Sequence, residues 1–152
     1  MSSALTLDAG AHSQVVNTTL GFGMVMLGEH SILRSSTVTG DSMGPMELGK
    51  GSILEQSTVR GSILCGDNCT ITGNTIAGPG DTNGPRPWGL TTGAGSLVRG
   101  NTIWGFETFA IVGPASVGYS GNVLTGNNSG DANPQVSGGT DLGGNLCGTR
   151  TA

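Results

Sequence analysis

The sequence predicts a parallel β-solenoid, a chain wound into about six coils of three short strands each. Three observations predict it. Glycine supplies 29 of 152 residues, about one in five, against a usual ~7%. Apolar positions alternate with a period of two, as they do in strands that turn one face inward and one outward. The same pattern returns every 17 to 27 residues or so, anchored on Gly10, Gly28, Gly49, Gly66, Gly93 and Gly113.

Each part of the coil has its own column. Before the anchor glycine comes a first strand whose inward face carries Leu7 and Ala9, Val25 and Leu27, Met46 and Leu48, Ile63 and Cys65, Leu90 and Thr92, then Ala110 and Val112. Three residues after the anchor stands a small-residue column, Ser13, Ser31, Ser52, Cys69, Ser96 and Ser116. A second strand then turns Val15, Leu33, Leu54, Ile71 and Val98 inward, and a third does so with Leu20, Val38, Val59, Ile76, Ile103 and Leu124. Stacking these inward faces makes one continuous core. Glycines between strands suit the tight, often positive-φ corners of such a path. In the last unit an extra residue near Gly118 reads as a bulge. The coils are expected to occupy 1–126, and the Gly-, Asn-, Ser- and Asp-rich stretch 127–152 to form an irregular tail capping one end.

Composition excludes several classes. Charged residues make up 11% and aromatic residues 4%, with a net charge of −4. That leaves no basic field for nucleic acid phosphates. No apolar run of about 18 residues is present to span a bilayer. Helix formers with charged faces are too few for a bundle, and with 35% apolar residues the chain is not of disordered composition. Residues 1–10 carry no basic-then-apolar leader, so Met1 is read as a cytosolic start or as a start added to a piece of a longer protein. No cofactor motif is found, and the spacing of Cys65, Cys69 and Cys147 lacks the paired hooks of a structural zinc site.

The Gly-Asn-x-Ile/Leu turns at Asn74, Asn101 and Asn122, with Thr18, Ser36 and Ser57 in the same column below, point to a partial buried asparagine ladder. Over residues 5–126 this pattern resembles the right-handed parallel β-helix family of pectate lyases, polysaccharide hydrolases and phage tailspikes. The stretch Gly143-Gly144-Asn145-Leu146-Cys147-Gly148 is similar to the closing segment of secreted bacterial members. The resemblance implies right-handed winding, an extracellular or virion-associated setting, and self-association, a trimer in the tailspike-like case. Six coils at ~4.8 Å each make a rod of roughly 30 Å. That is short for a catalytic β-helix, and no amphipathic helix caps its first coil. Since open solenoid ends aggregate, the lower end needs a partner subunit, a further domain or its own first residues.

Several outward columns carry candidate chemistry. Ile32, Ile53, Leu97 and Val117, stacked outward beside Gln14 and Thr70, form an apolar stripe that suits an oligomer interface unless the tail covers it, with Met26, Leu64 and Ile111 adding to it. Thr19, Thr37, Thr58, Thr75 and Thr102 form a flat threonine column. An ice-binding face is its remote reading, disfavoured by Arg60 and Trp104 in the neighbouring column. Trp104, Arg60 and Arg99, together with Trp88, Arg86 and Asn83 of the long insertion 79–88, are candidates for polysaccharide: indoles stack on sugar rings, and Arg and Asn bond their hydroxyls or carboxylates. Trp88 has an equally good structural role plugging the core under its own loop. The catalytic alternative, a polysaccharide lyase or glycoside hydrolase, would rest on Asp81 and Glu107 in equivalent loops, with Arg99 nearby. His12 and His30 are expected to stack, and Cys65 and Cys69 to lie inward, either as free thiols or with one of them bonded to Cys147. The leading expectation is a non-catalytic module for structural assembly or carbohydrate binding, with itself and polysaccharide as partners and neither metal nor cofactor.

Overall fold

The computed structural model describes residues 6–21, 23–39, 45–79, 88–128 and 134–148. They form strands and turns and no helix, hence no helix long and apolar enough to cross a membrane. Coil one is β1 (Leu7–Ala9), β2 (Gln14–Val16) and β3 (Thr19–Gly21). Coil two is β4 (Val25–Leu27), β5 (Ile32–Arg34) and β6 (Thr37–Thr39), and coil three β7 (Met46–Leu48), β8 (Ile53–Glu55) and β9 (Thr58–Arg60). Coil four is β10 (Ile63–Cys65), β11 (Thr70–Thr72) and β12 (Thr75–Ala77), and coil five β13 (Leu90–Thr92), β14 (Leu97–Arg99) and β15 (Thr102–Trp104). In coil six the first two strands fuse into β16 (Ile111–Ser120), followed by β17 (Val123–Thr125). Every pairing is parallel and joins equivalent strands of successive coils, which is the expected solenoid. First and second strands share a 12-stranded sheet joined through β16, and third strands form a seven-stranded sheet.

The tail departs from expectation. Part of it is not irregular but lays two more strands on the stack, β18 (Val136–Asp141) on β16 and β19 (Leu146–Gly148) on β17. The repeat continues because Gly144-Asn145 is another copy of the glycine–asparagine turn.

The inward columns are the core. Leu33, Leu54, Ile63, Ile71, Ile76, Leu90, Val98, Ile103 and Leu124 are wholly buried. Two corners hold the backbone in the left-handed region. The first does so at His12, His30, Gly51, Asn68 and Gly95, and the second at Asn17, Ser35, Gln56, Gly73, Gly100, Gly121 and Gly144. The anchor glycines serve a different purpose. A Cβ on Gly28 or Gly49 would stand 2.5 Å from backbone atoms of the coil below, so these positions exist for close stacking of chain on chain rather than for positive φ. Behind the first corner the small-residue column is buried. The hydroxyls of Ser31, Ser52 and Ser96 accept backbone N–H bonds from Ser13, Ser31 and Cys69 of the coils below.

Coil six corrects the sequence reading. Pairing runs Leu90 to Ile111 and Leu97 to Gly118, so Gly113 lies over Thr92 and Pro114 takes the anchor position. Anchoring on Gly113 shifts the coil by one residue, and the apparent bulge merely restores the register. Ile111 is therefore buried and Val112 faces outward, while Val117, not Ser116, fills the small-residue column. A real register shift between Gly113 and Gly118 occurs one coil later, against β18. The cysteines are corrected too. Cys65 and Cys69 bond to each other across the first corner of coil four, and Cys147 is free and exposed.

Candidate functional site

The seven-stranded sheet presents a regular outer face. Its strands are alternating triplets such as Thr58-Val59-Arg60 and Thr102-Ile103-Trp104, in which the central residue is buried and the outer two point away. Parallel register places Thr19, Thr37, Thr58, Thr75 and Thr102 in one line, continued above by Val123 and the exposed Leu146. Rungs lie ~4.8 Å apart. The neighbouring line is uneven: Gly21, Thr39, Arg60, Ala77, Trp104 and Thr125. Trp104 is 45% exposed, and Arg60 is exposed two rungs below it, with only the small, buried Ala77 between them. Indole and guanidinium thus stand roughly 10 Å apart at the backbone along one line, with threonine hydroxyls beside them.

The other predicted binding residues do not join this pair. Arg99 ends β14 in the other sheet, across the Gly100–Asn101 corner. Trp88 is half-buried ahead of β13. Its carbonyl accepts the Ser62 hydroxyl at 2.7 Å, and its indole Nε1 is buried without a hydrogen-bond partner. The adjoining Gly89 presses against Ile103, Phe106 and the Ala110 carbonyl, which fits Trp88 as a plug at the flank of the core. Asp81, Asn83 and Arg86 lie outside the described residues, and Glu107 stands exposed between β15 and β16. Among the described residues no three His, Cys, Asp or Glu side chains gather as metal ligands.

On the 12-stranded sheet the apolar stripe is shorter than predicted. Ile32 and Ile53 are half-buried and Leu97 is exposed, but Gly118 replaces Val117 as the next outward residue. Val117 is wholly buried, so it cannot belong to an exposed interface. Leu142 from the tail reaches over Gly118 toward Leu97, so the tail covers part of the stripe. Along the first corner His12 and His30 stack with ring centroids 5.4 Å apart, and beside the second Arg34 pairs with Glu55 one coil above it.

The upper end carries a polar cluster that the sequence reading passed over. Asp141 accepts the Gly143 N–H and the Asn145 amide. Burial, followed by the charges of Asp141 and Cys147, raises the Tyr119 phenol, and burial followed by Asp141 raises the Cys147 thiol. The signal was the Gly-Gly-Asn turn itself, which places Asn145 on the ladder and thereby Asp141 beside it.

Comparison with protein-family models, with curated proteins and with solved structures finds no significant match.

Proposed function

We propose that this chain is a non-catalytic β-solenoid module that binds polysaccharide on its seven-stranded sheet. The observation supporting this reading is Trp104, a large indole kept 45% exposed on a rigid sheet in line with Arg60. Exposing an indole forfeits burial that elsewhere in the core is complete, and a sugar ring would recover it by stacking while Arg60 bonds hydroxyls or carboxylates. A pre-formed sheet gives up little conformational entropy on binding. The test is retention on a panel of neutral and acidic polysaccharides, with reducing-end release followed in the same samples. Trp104→Ala is expected to weaken binding about tenfold, the scale of an aromatic anchor, and Arg60→Ala to weaken it for acidic polymers above all. Binding unchanged in Trp104→Ala would refute the site. Sugar release that disappears in Glu107→Ala would replace the module with a lyase or hydrolase.

A further inference from the structure

Three Asn-x-Ser/Thr triplets occur in the chain: Asn17-Thr18-Thr19, Asn68-Cys69-Thr70 and Asn127-Asn128-Ser129. Such a triplet is the acceptor motif for N-linked glycan, whose bulk and hydration confine it to an outward surface. The fold gives each asparagine different surroundings, and these rank the three as acceptors.

Asn127 is closed. It is 1% exposed, its Oδ1 accepts the Phe106 N–H, and its Nδ2 donates to the Ile103 carbonyl. A sugar on Nδ2 would displace the last of these bonds and force a polar ring into the flank of the core. Asn68 is exposed at the first corner, but its side chain lies on the coil above, where its Oδ1 would meet a Cβ placed on Gly95. The middle residue of its triplet, Cys69, is buried and bonded to Cys65.

Asn17 is open. It stands exposed at the second corner of coil one, with its backbone in the left-handed region at φ 52°. The Arg34 carbonyl of the coil above takes its N–H at 3.2 Å, and the Thr18 hydroxyl closes the turn by donating to the Val16 carbonyl at 3.0 Å. The corner is thus secured by groups other than the Asn17 amide. Thr19, which completes the triplet, is exposed as well. Higher coils place Ser35, Gln56 and then glycine at the same left-handed position, so asparagine takes it in coil one alone. The disulfide points the same way. Bonds such as Cys65–Cys69 form and persist in oxidising compartments, and N-glycosylation belongs to proteins that pass through them.

We propose that Asn17 carries an N-linked glycan. The donor is an oligosaccharide held on a polyprenyl pyrophosphate. The Asn17 Nδ2 attacks its anomeric carbon, the carbon–oxygen bond to pyrophosphate breaks, and the polyprenyl pyrophosphate leaves. One amide proton passes to a base of the transferase. Four rungs separate coil one from Trp104 in coil five, so this inference stands apart from the binding reading.

The test is to secrete the full chain from a eukaryotic host behind a cleavable leader. Peptides are then mapped by mass spectrometry after treatment with an amidase that leaves aspartate at each glycosylated asparagine. Asn17 is expected to convert on most molecules, Asn68 on few and Asn127 on none. Thr19→Val keeps the β-branched shape but lacks the hydroxyl of the motif, and is expected to abolish conversion at Asn17, whereas Thr19→Ser retains it. Should little protein leave the cell, translation into microsomes decides: a slower band that the amidase collapses, and that Thr19→Val lacks, supports the proposal. Asn17 left unmodified while a co-expressed reference glycoprotein is occupied overturns it. Occupancy of Asn127 in its place, or conversion that survives Thr19→Val, overturns it too.

Discussion

The second corner of the coil is built in two ways, and the lower and upper halves of the rod divide between them. In coils two and three the ladder position is serine. Each hydroxyl accepts one N–H from the coil below and donates back within its own coil, Ser36 to Arg34 and Ser57 to Glu55. From coil four upward it is asparagine. The Asn101 Oδ1 accepts both the backbone N–H and the side-chain amide of Asn74, while its own Nδ2 donates to Ile71 of the coil below. Asn122 and Asn145 repeat that arrangement. The residue before the ladder changes too, from left-handed Asn17, Ser35 and Gln56 to left-handed Gly73, Gly100, Gly121 and Gly144. Asparagine spends its hydrogen bonds between coils and serine spends half of them within one. A non-glycine residue in the left-handed region also carries strain that glycine avoids. The upper half therefore has its coils tied together by more hydrogen bonds at this corner than the lower half.

The contrast can be broken most sharply at Asn101. Asn101→Ala strands two buried donors of Asn74 and the Ile71 carbonyl. At ~1–3 kcal/mol per stranded group the expected loss is about 4 kcal/mol, a fall in melting temperature of ~10 °C. Ser36→Ala, which removes one acceptor, is expected to cost about 1 kcal/mol. Equal losses in parallel thermal melts would show the two ladders to be equivalent.

The next largest effect is expected at the disulfide between the halves. Replacing both Cys65 and Cys69 with alanine frees a bond of sequence separation 4, for which chain-entropy arguments give about 2 kcal/mol. Urea unfolding under oxidising and reducing conditions measures it, and the variant should show no response to reductant. The contrast can also be sharpened by extending the upper corner downward. Gln56→Gly with Ser57→Asn gives coil three the glycine–asparagine turn and is expected to add about 1 kcal/mol and to slow amide exchange in coils two and three. Unchanged exchange there would mean that the corner does not set local stiffness.

The smallest effect concerns the polar end. Tyr119 and Cys147 have folded values raised above their unfolded ones, so the folded state favours their neutral forms. That contribution is fully present at neutral pH and disappears as pH climbs through the folded values, loosening the upper end in alkali. Asp141→Asn removes a charge that raises both groups, so their titration midpoints, followed by phenolate absorbance and thiol alkylation, should move down.

Much of the fold was legible in the residues because alternation is local. Leu33, Leu54 and Ile71 declare themselves inward from their immediate neighbours, and Asn74, Asn101 and Asn122 each follow a glycine that marks the turn. Errors arose where the deciding contact lies a whole coil away. Gly113 has the look of a corner glycine, yet pairing of Leu90 with Ile111 puts Pro114 there and buries Val117. The face bearing Trp104 and Arg60 followed from periodicity, whereas Arg99 and Trp88 are separated from it by a corner and by burial that spacing does not reveal.

By itself, then, the sequence determined that the chain winds into three-strand coils, which residues line the core, and where asparagine stacks at the turn. These depend on period-two alternation and on turn chemistry, both set within a few residues. The tertiary structure decided the register of coil six, the pairing of Cys65 with Cys69, and the enrolment of the tail as further rungs. Each of those turns on which backbone groups meet across a distance of about twenty residues, and only the stacked chain brings them together.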